Sequence, residues 1–234
     1  MAATHLPIER ARPILGTLVS IRIEGLSEKP AHRAIDVGFT EVGQIHSLMS
    51  FHEVTSDVSR LNRTAVYRSV RVQPHTFAVL RRALEIAEAS GGVFDPSIGG
   101  RLVAWGFLPP PADAPKPSPR ASWRDIELIG TDKVRFHRPL WIDLGGIAKG
   151  YAVDLAIARM ALGPKVQCCV NAGGDLRIAG PRAERILLRV APRDGMVPVV
   201  ELENGSIASS SGREGRKKQG RTFVGPHVDT RKRR

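Results

Sequence analysis

The chain has 234 residues, of which 42% are hydrophobic and 25% charged, enough for a substantial core in one large domain or two small ones. No apolar run reaches the length of a bilayer span, and the opening MAATHLPIERARPILGT has no charged segment followed by an apolar one, so neither a membrane span nor a secretory signal is read. The net charge of +12 would ordinarily point to nucleic acid, but nine Lys/Arg against two acids crowd into residues 213–234, an aromatic-poor run that reads as a solvated tail and makes nucleic acid an unlikely partner.

The elements follow in chain order. Residues 14–23, ILGTLVSIRI, alternate as a strand with Gly16 at its start. After Pro30, Ile35, Phe39, Val42, Ile45, His46 and Met49 recur at spacings of three and four and predict a helix. Residues 49–63, MSFHEVTSDVSRLNR, are polar and without a strong period; Ser56, Asp57 and Ser59 can cap short turns, and His52 reads as a surface histidine. A second amphipathic helix is predicted over 74–90, with Phe77, Leu80, Leu84 and Ala87 on its apolar stripe and Gly91 and Gly92 as its stop.

In VFDPSIGGRLVAWGF, residues 93–107, the Asp95-Pro96 pair signals a turn, and Asp95 is either the cap of the 97–105 segment or a ligand contact. Six prolines within 108–122 make a stiff extended loop, or a boundary between two lobes. Strands are predicted at 125–130 and 133–137.

WIDLGGIAKGYAVDLA, residues 141–156, is the chemically richest stretch. An apolar strand at 140–142 leads to Asp143, a turn through Gly145 and Gly146, and a helix carrying Lys149 and running to about Leu162. Glycines allow close backbone approach, and the free N–H groups of a helix start favour an anion. An acid, a close-approach turn and a cation within seven positions suit a phosphorylated ligand with a divalent metal; an ordinary strand–turn–helix crossover fits the local pattern equally well.

Two further strands are predicted in 166–180 around Gly173 and Gly174, where Asp175 repeats the acid-beside-glycines pattern and a tight hairpin is the plain alternative. Strands at 185–191 and 197–202 complete the reading. Cys168 and Cys169 are adjacent in an apolar run and read as buried thiols of a reducing compartment, so the expectation is a cytoplasmic protein in which the sequons at Asn62 and Asn204 carry no weight. There is no internal repeat, no CxxC, HExxH or GxSxG, and GGIAKGY lacks the Walker A spacing.

Taken in order, ILGTLVSIRI, MSFHEVTSDVSRLN, GGVFDPSIGGRLVAWGF, IDLGGIAKGYAVDLA, NAGGDLRIAG, and SIASSSG followed by HVD resemble the ApbE family of FAD:protein FMN transferases. Each motif is weak alone; six in the family's order between residues 14 and 229 make the resemblance specific. It implies a single α+β domain over residues 1–234, of the ApbE, T-fold-like type, with an antiparallel-rich sheet, packed helices and the family's last elements missing. It also implies the activity: FMN moves from FAD to a threonine or serine hydroxyl of a target flavoprotein, AMP leaves, and magnesium (Mg2+) is required. Some members hydrolyse FAD to FMN and AMP instead.

By the same resemblance, Leu15 stands at an early flavin-contacting position where Met is usual, and His52 where an aromatic Tyr is usual. Phe94 and Asp95 match an FDPT-like FAD contact, Asp143 a carboxylate that hydrogen-bonds the cofactor, and Lys149 a residue facing it. Gly146 would offer its carbonyl to Mg2+. His227 and Val228 match an HxxDP-type segment near the pyrophosphate, and His227 is the candidate to assist the acceptor hydroxyl. An ADAxxT-like motif, whose Asp and Thr complete the family's Mg2+ shell, is not met before Arg234, so the expectation is a shortened chain holding half of a metal site. A non-enzymatic flavin-binding protein with a basic tail is the rival of a different class.

Overall fold

The computed structural model describes residues 6–188, 198–210, 215–220 and 222–228. In chain order come β1 (Ile8–Ile14), β2 (Thr17–Glu24), α1 (Glu28–Met49), α2 (Asp57–Thr64), β3 (Val70–Arg71), α3 (Pro74–Ala89) and α4 (Gly99–Ala104). A short 3-10 turn, Trp123–Asp125, precedes β4 (Ile126–Ile129), β5 (Lys133–Phe136) and α5 (Ala148–Met160). Then follow β6 (Gln167–Ala172), β7 (Asp175–Ala179), β8 (Glu184–Leu187), β9 (Val199–Leu202), β10 (Ser206–Ala208), β11 (Lys217–Gln219) and β12 (Thr222–Val224). All these strand pairs are antiparallel, and the architecture is α+β, as expected. The chain divides into two compact units, Met1–Gln44 with Lys149–Ser210, and Ile45–Ala148 with Ser211–Arg234.

The first unit is built on a five-stranded sheet in the order β1-β2-β6-β7-β10. Val19, Ile21 and Ile23 alternate on β2 and pair with Ala172, Val170 and Cys168 of β6, all buried on one face. Two helices cover that face. A Cβ added to Gly38 of α1 would fall 2.7 Å from Ile21 Cδ1 and 3.2 Å from Met160 sulfur, so α1, β2 and α5 meet closely at this glycine and any side chain there would displace those side-chain tips. Helix α5 lies along β7 through two ion pairs of opposite sense, Lys149 to Asp175 at 2.9 Å and Asp154 to Arg177 at 3.0 Å. On α5, Ala148, Ala152, Ala156 and Met160, spaced four apart, are buried, while Tyr151 and Leu155 are half-buried.

Several boundaries move. Residues 14–23 are not one strand: β1 ends at Ile14, Leu15 and Gly16 turn the chain, and β2 starts at Thr17. Both turn residues have positive φ, 58° and 69°, the signature of a two-residue type I′ hairpin, which twists with the strands it joins. Helix α1 starts at Glu28, ahead of Pro30, and α5 stops at Met160 rather than Leu162. Residues 189–191 and 197 of the two predicted strands lie outside the described residues, as do 211–214, Asp229, Thr230 and much of the basic tail.

In the second unit, the polar 49–63 stretch holds a helix, α2, that hydrophobic periodicity could not reveal. Its buried face includes Asp57, Ser59 and Asn62 beside Val58 and Leu61. Ser56 caps it, accepting from the Ser59 amide at 3.0 Å. Asp57 accepts from Gln73 N and Thr76 Oγ1, both at 2.8 Å, and so ties α2 to the start of α3. The proline loop stays irregular and lies within this unit, not at a boundary between units. It is anchored by Trp141 Nε1 donating to Pro115 O at 2.9 Å and Ser118 N donating to Pro139 O at 2.8 Å.

Candidate active site

The second unit gathers four of the candidate residues. The predicted strand at 140–142 is reduced to a single parallel bridge between Trp141 and Ile98. Around it, Gly99 N donates to Trp141 O at 2.9 Å and Asp143 N donates to Pro96 O at 2.8 Å. Two motifs more than forty residues apart are thereby laid side by side. Phe94 and Asp95 enter from one, Asp143 and Gly146 from the other. The Phe94 ring edge stands 3.4 Å from where a Gly146 Cβ would be, at van der Waals contact with the glycine turn. Both rim glycines, Gly145 and Gly146, are exposed, while Phe94, Asp95 and Asp143 are half-buried.

Asp95 resolves one sequence ambiguity. Its Oδ1 accepts from both the amide and the hydroxyl of Ser97 at 2.7 Å, so it does act as a cap. The element it caps is the turn ahead of α4, because the helix itself begins at Gly99 and has no side-chain cap. His52 lies exposed on the turn between α1 and α2, its amide donating to Ser50 Oγ at 3.2 Å. His227 is exposed and Val228 half-buried just beyond β12. The β11–β12 hairpin leading to them is fastened to the end of the FDPS motif: Lys217 Nζ donates to Gly106 O and sits 5.2 Å from the centre of the Phe107 ring.

The first unit holds a second group. Antiparallel register brings the Leu15 and Gly16 turn, the Gly173 and Gly174 turn and the residue after β10 to one end of the sheet. There the NAGG stretch is a tight hairpin, the plain alternative of the sequence reading. A Cβ on Gly173 would fall 2.2 Å from Thr17 Oγ1, and one on Gly174 2.6 Å from Ser209 Oγ. Asn171 Oδ1 accepts from Gly174 N at 2.9 Å and braces the turn. Asp175 follows directly, and Lys149 reaches it from the first turn of α5. At 29% and 18% side-chain exposure this pair is partly desolvated, and it holds the ammonium at a defined place. The resemblance alone points Lys149 at a cofactor; the fold adds Asp175 as its partner.

Burial pushes the Cys168 thiol up to about 12 and the Cys169 thiol up to about 11, so neither is a nucleophile at neutral pH. Adjacent residues of a strand point to opposite faces, and both cysteines are free. The donors available for Mg2+ are few. A hard divalent cation takes about six oxygens, and among the described residues no three His, Cys, Asp or Glu side chains converge. Mg2+ is commonly held by one or two protein oxygens together with substrate phosphates and water, and on the resemblance the Gly146 carbonyl would be one such donor.

Asn62 escaped the sequence reading. It is 2% exposed, and its side-chain amide makes two hydrogen bonds to the main chain of Ile142, the residue before Asp143. The only signal for it was its place in the SRLN end of the second motif.

A family model for ApbE matches residues 15–225. The chain belongs to the ApbE family. Among curated ApbE-family relatives, it is 30% identical over 217 residues to the FAD:protein FMN transferase of Rhodobacter capsulatus, covering 85% of this chain and 40% of that one. It is 29% identical over 235 residues to the FAD:protein FMN transferase of Treponema pallidum (strain Nichols), covering 88% of this chain and 64% of that one. The chain thus spans less than two thirds of these ApbE relatives' lengths. The crystal structure of the ApbE protein from Thermotoga maritima superposes with a TM-score of 0.83 at 27% identity, over 96% of this chain and 76% of that one. Among the described residues no helix is long and apolar enough to cross a membrane.

Proposed function

We propose that this chain is an FAD:protein FMN transferase, moving FMN from FAD to a threonine or serine hydroxyl of a target flavoprotein. The observation that carries the reading is the hydrogen-bonded pairing of residues 96–99 with 141–143 in an ApbE-family chain, since it assembles an aromatic ring, two carboxylates and a glycine rim from two separate motifs. In this reading Phe94 contacts the ring system of FAD, and Asp95 and Asp143 accept hydrogen bonds from it. Leu15 and His52 add apolar and aromatic contact, and Val228 lines the pyrophosphate end. Lys149, steadied by Asp175, offsets the negative charge of the pyrophosphate.

The reaction itself is one displacement at phosphorus. The acceptor hydroxyl oxygen bonds to the phosphorus on the FMN side, and the bond from that phosphorus to the bridging oxygen breaks. AMP leaves with the electron pair, and the hydroxyl proton passes to His227. Cys168 is buried and Cys169, expected buried, is half-buried; both are free, which supports a reducing, cytoplasmic setting as part of the same proposal.

The test mixes the chain, FAD, Mg2+ and a target domain carrying its acceptor threonine. A covalent fluorescent flavin band in a denaturing gel is expected, and Asp143→Ala or Lys149→Ala should weaken both the band and FAD binding. AMP release without an acceptor would replace the transferase reading with a pyrophosphatase one. Absence of FAD binding at high micromolar concentration would remove the cofactor reading.

A further inference from the structure

Asn62 is an unlikely residue to find where it is. Asparagine competes with the helical backbone for hydrogen bonds and is a poor choice for a helix interior. Here it sits inside α2, 2% exposed, on the face shared with Val58 and Leu61. A buried amide has to be satisfied, and this one is satisfied by a single residue. Asn62 Nδ2 donates to Ile142 O at 3.1 Å, and Ile142 N donates to Asn62 Oδ1 at 2.8 Å.

The direction of those bonds matters. In an extended chain, successive residues point their N–H and C=O groups to alternate sides. Trp141 O and Asp143 N turn to one side, where they meet Gly99 N and Pro96 O. Ile142 N and O turn to the other side, where the Asn62 amide takes the place of a ladder. Residues 141–143 are thus a short extended segment with main chain along one edge and one side chain along the other. Asn62 is itself fixed, because α2 is capped by Ser56 and tied to α3 through Asp57.

We propose that Asn62 is a positioning residue that clamps the Ile142 main chain and thereby aims Asp143 and the glycine rim at the cofactor. The inference rests on the FAD reading above and adds to it the residue that sets the carboxylate. The leucine of Asn62→Leu keeps the branched shape in a somewhat bulkier side chain and leaves both Ile142 groups unpaired. Leu61→Ala removes core packing from the same helix while keeping the Asn62 amide, and is the control for a general loss of stability.

Two measurements on the full chain decide it: FAD titration by flavin fluorescence well below both melting temperatures, and amide hydrogen exchange of residues 141–146. Asn62→Leu is expected to weaken FAD at least tenfold and to speed exchange at 142–146, while Leu61→Ala stays within twofold of the parent in affinity. Equal losses of affinity in the two variants, or unchanged exchange at 142–146 in Asn62→Leu, would overturn the clamp. If the parent binds no FAD, the cofactor reading and the aiming role fall together, and the exchange result alone decides whether Asn62 holds the segment. In Asn62→Asp, lowering the pH protonates the carboxyl, which can then donate to Ile142 O and accept from Ile142 N. Affinity should recover as the pH falls, and a flat profile counts against the clamp.

Discussion

Leu15 is held at φ 58°, a left-handed conformation that a leucine adopts at a cost of roughly 1–2 kcal/mol. Nothing in the turn requires leucine, since a type I′ hairpin prefers Asn followed by Gly, and Gly16 already supplies the second residue. Replacing Leu15 by asparagine should recover much of that strain. The change also removes a half-buried apolar side chain, which at half of a full leucine's burial costs about 1 kcal/mol. The two terms nearly cancel, so Leu15→Asn is expected to leave the unfolding free energy within about 1 kcal/mol of the parent. Leu15→Val should lose about 1 kcal/mol or more, because a β-branched residue is a true outlier at positive φ. Urea unfolding with linear extrapolation reads both, and FAD titration should show the Leu15→Asn variant binding the cofactor more weakly even though its fold is intact. A loss of more than about 2 kcal/mol in Leu15→Asn would refute the reasoning: Leu15 would then be a packing residue, and the strained turn would be maintained by the core rather than kept for a ligand.

Gly173→Ala is expected to cost at least about 2–3 kcal/mol, since its Cβ would fall 2.2 Å from Thr17 Oγ1 at φ 62°; a thermal shift equivalent to less than about 1 kcal/mol would show that the two hairpin turns are not in close contact. The raised thiols carry a pH dependence of definite sign. Protonated in the fold up to about 11 and 12, they ionise in the unfolded chain near the ordinary thiol value of 9.0, so stability is full below pH 9 and falls as the pH rises through the folded values. Replacing both cysteines by alanine should flatten that fall, and an unchanged slope between pH 9 and 11 would assign it to other groups.

Much of the fold follows from local pattern. The apolar stripes of α1, α3 and α5 are visible because burial on one helix face repeats every three to four residues, and all three helices lie where that repeat puts them. The alternation in β2 predicts a strand, and the two strands around the glycine pair after Ala172 are found as a hairpin, one of the two alternatives left open there. The order of six motifs was enough to resemble the ApbE family, because a motif order is a property of the chain and needs no coordinates.

Where local pattern failed, the deciding interaction was distant or polar. Helix α2 was hidden because Asp57, Ser59 and Asn62 stand on its buried face, and their burial is compensated by hydrogen bonds rather than by apolar contact. The turn at Leu15 was read as strand because its positive φ is imposed by pairing of β1 with β2, against the preference of the residue. Phe94 and Asp95 meet Asp143 and Gly146 only because main-chain groups of 96–99 and 141–143 pair across a proline loop, and such pairing leaves no trace in side-chain periodicity. Lys149 finds Asp175 through the packing of α5 on β7, and Asn62 finds Ile142 eighty residues away. Residue types and their order were enough to point to the family; the tertiary structure decided which residues lie side by side, because that depends on backbone groups whose partners lie far along the chain.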